Sequence, residues 1–85
     1  MQNLPIPETI QNLKPLYSSL WFELPPVITR KKLCELIPIL RPGTLANLDS
    51  LGKGPAGRIT MGGKVCYPRI EVILWLASRE TRKGV

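Results

Sequence analysis

The chain has 85 residues, 44% of them hydrophobic, which suits one compact domain with a single core. No run of about 18 apolar residues occurs and the first 20 residues lack a signal-peptide pattern, so we expect a cytoplasmic protein without a membrane partner. The sequence has no histidine, two isolated cysteines and no carboxylate cluster, which excludes the usual zinc ligand sets and the commonest catalytic base. We therefore expect no catalytic site, no metal and no cofactor, and structural, reduced roles for Cys34 and Cys66.

The positive charge is concentrated in the middle of the chain. Twelve Lys and Arg residues against six Asp and Glu residues give a net charge of +6. Residues 1–28 carry −1 and residues 70–85 carry +1, whereas residues 29–69 hold eight basic and two acidic side chains. Such a segregated excess is typical of a surface that binds a polyanion, and charge that serves only solubility is the alternative.

Residues 1–28 contain five prolines together with apolar residues at helical spacing. This pattern predicts a Pro-rich N-terminal extension with two short helical pieces, broken near Pro15. Trp21 and Phe22 would pack either on the rest of the domain or on a second protomer.

Two short helices joined by a tight turn are predicted for residues 29–51. Thr29 is a good N-cap for a first helix of about nine residues, which Pro38 ends. The chain then restarts at Pro42. The inward stripe of the second helix would consist of Leu45, Leu48 and Leu51.

The opposite side of the second helix is polar. A step of 100° per residue places Ala46, Asn47 and Ser50 there, where they could read a partner. Thr44 is either a helix cap or a contact. The amides of Gly43 and Thr44 lie at the positive end of the helix dipole, where they could hold a phosphate.

A β-hairpin is predicted next. Residues 58–61 and 64–67 are β-prone runs that flank two glycines, and such a pair favours a tight turn with positive φ. The tip would carry Lys64, with Arg58 and Tyr67 along the strands.

The last helix would start at Pro68 and run to Arg79. Its apolar residues cover most of its circumference, so we expect it to be the central pillar of the core, with Trp75 inside. Sharing of this helix with a second subunit is the alternative.

The order helix, turn, helix, glycine-rich hairpin, helix resembles the excisionase and AlpA-type branch of the MerR-like winged helix-turn-helix family. The motifs that carry the resemblance are TRKKLCELI (29–37), PGTLANL (42–48), GKGP (52–55), MGGKVCY (61–67) and RIEVILWL (69–76). The resemblance as a whole covers residues 25–79. The resemblance implies a mainly α fold with a small β-hairpin, in which a winged helix-turn-helix domain at 29–79 lies between the extension at 1–28 and a C-terminal tail at 80–85.

In that family the second helix enters the major groove of DNA and the hairpin wing reaches the neighbouring minor groove. The resemblance therefore implies a sequence-preferring binder of double-stranded DNA, either a small transcriptional regulator or a recombination directionality factor of a prophage or mobile element. An integrase or another phage or host protein would be a further partner. The oligomeric state is left open, and any homodimer would form through the N-terminal segment or the last helix. DNA recognition in phage packaging is an alternative role.

The candidate DNA contacts form three groups. The base-reading group is Thr44, Asn47 and Ser50. The DNA-backbone group is Arg30, Lys31, Lys32, Arg41, Gly43, Lys53, Arg58 and Arg69. The wing group is Gly62, Gly63, Lys64 and Tyr67.

The second helix itself has no basic residue, since neither Arg nor Lys occurs between residues 43 and 51. This feature favours a second hypothesis, a protein-interaction adaptor that keeps the winged scaffold. Burial of Ala46, Asn47 and Ser50 under the N-terminal segment would support the adaptor hypothesis.

Overall fold

The computed structural model describes residues 6–80, which form a mixed α and β fold of five helices and a three-stranded antiparallel sheet. The helices are α1 (Glu8–Gln11), α2 (Pro15–Glu23), α3 (Arg30–Leu36), α4 (Pro42–Ser50) and α5 (Arg69–Arg79). The strands are β1 (Val27–Thr29), β2 (Ile59–Met61) and β3 (Lys64–Pro68). None of these helices has the length and apolar character needed to cross a bilayer. Of the predicted tail at 80–85, all but the first residue lies outside the described residues, as do residues 1–5 of the predicted extension.

Prolines determine where two of the helices begin. Pro15 and Pro42 lie in the first turns of α2 and α4, where the missing amide hydrogen has no intrahelical partner to lose. The predicted break near Pro15 is confirmed, because α1 ends at Gln11 and α2 begins at Pro15.

Thr29 caps α3 as predicted. Its side-chain oxygen accepts a hydrogen bond from the amide of Lys32 at 3.1 Å. The helix has seven residues rather than about nine, because Ile37 precedes Pro38 and leaves the helical region with φ −123° and ψ 85°. The ring of a proline disfavours helical dihedrals in the residue before it.

The inward face of α4 differs from the predicted stripe. Leu45 is buried and Leu48 is half-buried, as expected, but Leu51 lies beyond the end of the helix and is 66% exposed. The prediction that Leu51 faces the core is wrong. Asp49, four residues after Leu45 and therefore on the same side of the helix, is buried instead.

The predicted hairpin is confirmed as β2 and β3. Gly62 and Gly63 form its turn with φ of 58° and 79°, which glycine adopts without steric cost. The sequence analysis did not predict β1, which pairs with the other side of β3 and makes β3 the central strand. Ile28 lies opposite Tyr67 in this pairing, and both side chains are buried.

Helix α5 supplies the centre of the core. It packs against α1, α2 and β3, and Val72 and Ile73 are fully buried. Trp75 is 8% exposed and its ring nitrogen donates a hydrogen bond to the carbonyl of Lys53 at 2.8 Å. This is the arrangement expected for a helix that acts as the pillar of the core.

Residues 6–28 belong to the same core as the rest of the fold. Ile10, Tyr17 and Leu24 are buried in one cluster with residues of α3, α4, β3 and α5. Trp21 is half-buried on the domain, whereas Phe22 is 68% exposed. The boundary predicted at residue 28 therefore does not separate two independent cores.

Candidate nucleic-acid interface

The polar face of α4 is open to solvent. Thr44, Asn47 and Ser50 are all exposed, and Ala46 is half-buried. Residues 6–28 leave these polar side chains exposed, which does not support the adaptor hypothesis. The helix presents three short polar side chains at the spacing i, i+3 and i+6, which places them along one side.

The first turn of α4 is also open. Arg41 is its N-cap residue and its side chain makes no capping hydrogen bond. Gly43 has no other atom within 4 Å of the position that a β-carbon would occupy, so its backbone can be approached closely. The amides of the first helical turn have no partner within the helix, and they can donate to an anion.

A buried carboxylate lies beneath this surface. The side chain of Asp49 is 3% exposed. Its Oδ2 accepts a hydrogen bond from the hydroxyl of Tyr67 at 2.5 Å and another from Nη2 of Arg30 at 2.7 Å. The Tyr67 hydroxyl in turn accepts one from Nε of Arg30 at 3.1 Å. One carboxylate thus connects α4 to the first residue of α3 and to the central strand.

Gly54 makes room for this carboxylate. A β-carbon on Gly54 would lie 1.9 Å from Oδ1 of Asp49, far inside van der Waals contact. Arg58 reaches the same group from the surface, with Nη1 3.8 Å from Oδ2 and a side chain that is 48% exposed. The loop that leads from α4 to the hairpin therefore approaches Asp49 closely at Gly54 and contacts it through Arg58.

The ionisation of the cluster follows from its burial. Burial and the hydrogen bond to Asp49 raise the pKa of Tyr67 to about 12, so the hydroxyl remains a neutral donor at physiological pH. Hydrogen bonds to Tyr67 and Asp49 raise the pKa of Arg30 despite the opposing effect of burial. The charge of Asp49 is thus balanced inside the protein, and α4 exposes no acidic side chain.

Three predicted DNA contacts have internal roles. Arg30 is held in the Asp49 cluster. Arg69 stacks on the ring of Trp21 at 3.7 Å and donates to the carbonyls of Trp21 at 3.2 Å and Leu24 at 2.9 Å. Tyr67 lies on a hairpin strand as predicted, but its side chain is completely buried. Part of the guanidinium donors of Arg30 and of Arg69 is therefore engaged within the fold. The buried side chain of Tyr67 is not accessible for wing contact.

The other predicted contacts are accessible. Six basic side chains between residues 29 and 69 are exposed, namely Lys31, Lys32, Arg41, Lys53, Arg58 and Lys64. Of the two acidic side chains in this stretch, Asp49 is buried and Glu35 lies 3.8 Å from Lys32. The solvent-facing charge of residues 29–69 is thus strongly positive.

The hairpin projects a short, exposed loop. Gly62, Gly63 and Lys64 are exposed, and so are all three residues of β2. The Asp49 cluster holds β3 and the start of α3 against α4. The hairpin and α4 are therefore connected through one buried cluster.

The sequence analysis did not identify Asp49 as a buried residue and did not connect it to Tyr67 or Gly54. The available signal was its position four residues after Leu45, which places both on the buried side of the helix.

Within residues 6–80, no group of three or more Cys, Asp or Glu side chains could hold a metal ion. No family model, curated protein or solved structure matches this chain.

Proposed function

We propose that this chain binds double-stranded DNA as a small winged helix-turn-helix protein, with α4 in the major groove and the β2–β3 hairpin as the wing. The observation that carries the proposal is the burial of Asp49. With this acid buried, paired with Arg30 and hydrogen-bonded to Tyr67, the exposed face of α4 is uncharged and polar. Basic side chains precede it at Arg41 and follow it at Lys53.

In this arrangement Asn47 is the principal base-reading residue, because a side-chain amide can pair with N6 and N7 of adenine. Thr44 and Ser50 lie beside it on the same side of the helix and can donate or accept hydrogen bonds. Direct reading of guanine by an arginine of α4 is excluded, since the helix has none.

The six exposed basic side chains would supply the contacts to the phosphate backbone. If about five phosphates are neutralised, the logarithm of the association constant falls with the logarithm of salt concentration with a slope of about −4.5. The first experiment is selection from a randomised duplex library at about 50 mM and 150 mM salt. Enrichment of a short motif, with retention that falls steeply as salt rises, supports the proposal, whereas weak retention without enrichment at both concentrations refutes it.

Two variants separate base reading from backbone contact. Asn47→Ala should relax the sequence preference and leave the salt slope unchanged. Lys64→Ala should weaken binding to all sequences alike and reduce the salt slope by about one. Lys14→Ala is the matched control, because this exposed lysine is paired with Glu80 outside the proposed surface and its loss should change neither quantity. Equal effects of the first two variants on every sequence would contradict the assigned roles.

The biological role we propose is that of a transcriptional regulator or recombination directionality factor of a prophage or mobile element. The two roles differ in what happens to the DNA. A directionality factor should bend or coat tandem sites and change the products of an integrase, whereas a regulator should change transcription from a single operator. Circular permutation of the selected site, followed by gel mobility, measures the bend and separates the two.

A further inference from the structure

An apolar groove of about 570 Å³ lies beside the proposed DNA-binding surface, and the proposed DNA contacts do not use its apolar side chains. Its walls come from three helices, α2, α4 and α5, and from the connection at residues 37–41. The apolar side chains that line it include Leu16, Leu20, Ile37, Ile39, Leu40 and Leu76. A concave apolar surface of this size between helices is a common site for a ligand or a partner segment.

The rim of the groove is apolar as well. Leu16 is 62% exposed and Ile39 is 86% exposed. Single apolar side chains on a surface are ordinary, but these two lie at the edges of one apolar depression. A small molecule seated in the depression would leave most of this rim in water. An occupant long enough to cover both side chains fits the surface better.

Among the charged side chains that line the groove, the positive ones are available to a ligand. Arg41 and Arg79 line it, and Arg79 also stacks on Trp75 at 5.1 Å. The only acid among the lining residues, Glu80, forms an ion pair with Lys14 and accepts a hydrogen bond from the hydroxyl of Tyr17 at 2.7 Å. The groove therefore presents cations to an incoming chain, while its carboxylate is held by the fold.

We propose that this groove binds an amphipathic helix of a partner protein, with the apolar stripe of that helix in the groove and its carboxylates against Arg41 and Arg79. Helices recognised in this mode use apolar anchors at positions i, i+3 or i+4, and i+7. The complementary charge identifies the partner segment as acidic. The inference does not depend on the proposed DNA binding, although Arg41 and Thr44 border both surfaces.

The test uses a display library of 14-residue helical peptides, randomised on one face and selected on the full-length chain. We expect enrichment of peptides with apolar anchors at helical spacing and at least one flanking Asp or Glu. The best peptide is then synthesised, together with a version in which each acid is replaced by lysine. Binding is measured by fluorescence anisotropy, and the site is located by amide chemical shifts.

Two matched leucines provide the variants. Leu16→Asp should weaken the acidic peptide at least about tenfold, because it puts a carboxylate where the peptide needs an apolar contact. Leu51→Asp is the control, because Leu51 is similarly exposed at 66% but lies outside the groove, and it should leave the affinity unchanged. Arg79→Glu should weaken the acidic peptide and strengthen the lysine version. Circular dichroism confirms that each variant is folded, and DNA binding by Leu16→Asp should remain intact.

Three results would overturn the proposal. The first is the absence of enriched helical peptides from the selected library. The second is an enriched peptide whose affinity responds equally to Leu16→Asp and Leu51→Asp, or whose chemical shifts lie away from the groove. The third is a dimer in sedimentation velocity that Leu16→Asp dissociates, because a second copy of this chain would then be the occupant.

Discussion

Removal of one hydroxyl from the Asp49 cluster tests whether that cluster holds the fold together. In the Tyr67→Phe variant the ring keeps its place, but Asp49 loses its 2.5 Å hydrogen bond and Arg30 loses an acceptor at 3.1 Å. A hydrogen bond to a buried charged group contributes about 2 kcal/mol, and water cannot replace the hydroxyl because the Asp49 side chain is only 3% exposed. We therefore expect a loss of about 2 kcal/mol in the free energy of unfolding, or roughly 10 °C in Tm for a chain of this length.

The assay is urea unfolding followed by tryptophan fluorescence, where the midpoint should fall by about 2 M. Tyr17→Phe is the matched control. Tyr17 is also buried, and burial and its hydrogen bond to Glu80 likewise raise its pKa to about 12. The acceptor differs, however, because the Glu80 side chain is 31% exposed and water can take the place of the hydroxyl. We expect a loss of about 0.5 to 1 kcal/mol for Tyr17→Phe, so equal losses in the two variants would refute the reasoning.

Two further predictions concern pH and glycine. The pKa values of Tyr17 and Tyr67 are about 12 in the folded chain and about 10 in the unfolded chain, so their contribution to stability is complete below pH 10 and is lost as the pH rises towards 12. Urea unfolding between pH 9 and 12 should show this fall in the free energy of unfolding. Absorbance at 295 nm should show no tyrosinate in the folded chain below about pH 11. A free energy of unfolding that does not change over this pH range would contradict the prediction. Gly54→Ala should destabilise the fold by about 1 to 3 kcal/mol because the new β-carbon would overlap the side chain of Asp49. Gly43→Ala should stabilise the fold by up to about 1 kcal/mol, because Gly43 lies in α4 with open space around it and alanine favours the helix more than glycine does. Thermal unfolding that shifts the same way in both glycine variants would rule out this assignment.

The elements with strong local signals were predictable from the sequence. Thr29 before a helical stripe, prolines in first turns and a pair of glycines between β-prone runs each specify their own backbone conformation. The helices and the hairpin follow from these signals because no distant contact is needed to define them. Strand β1 also had a local signal, three consecutive β-branched residues after two prolines. A strand forms only when it pairs with a neighbouring strand, however, and the pairing with β3 is not visible in the local sequence.

The pairing of side chains was not predictable in the same way. The outward residues Asn47 and Ser50 follow from helical periodicity alone, and both are exposed. Ala46, which was predicted on the same side, is half-buried. The roles of Arg30 and Arg69 depend on groups 19 and 48 residues away along the chain, which periodicity cannot reveal. From the sequence alone, a basic residue in a positively charged stretch is therefore read as a phosphate contact, because its carboxylate or carbonyl partner within the fold is not visible there.

The pairing of β1 with β3 limits how far the chain can be shortened from its N-terminal side. A fragment that begins at residue 29 would lack Val27 and Ile28, which lie opposite Pro68 and Tyr67 on the central strand. The freed edge of β3 would offer its backbone groups to other chains, and such edges promote aggregation. The same fragment would lose the carbonyls of Trp21 and Leu24 that hold Arg69 at the start of α5. Any transplant of α3, α4 and the hairpin into another protein must therefore carry the preceding segment with it.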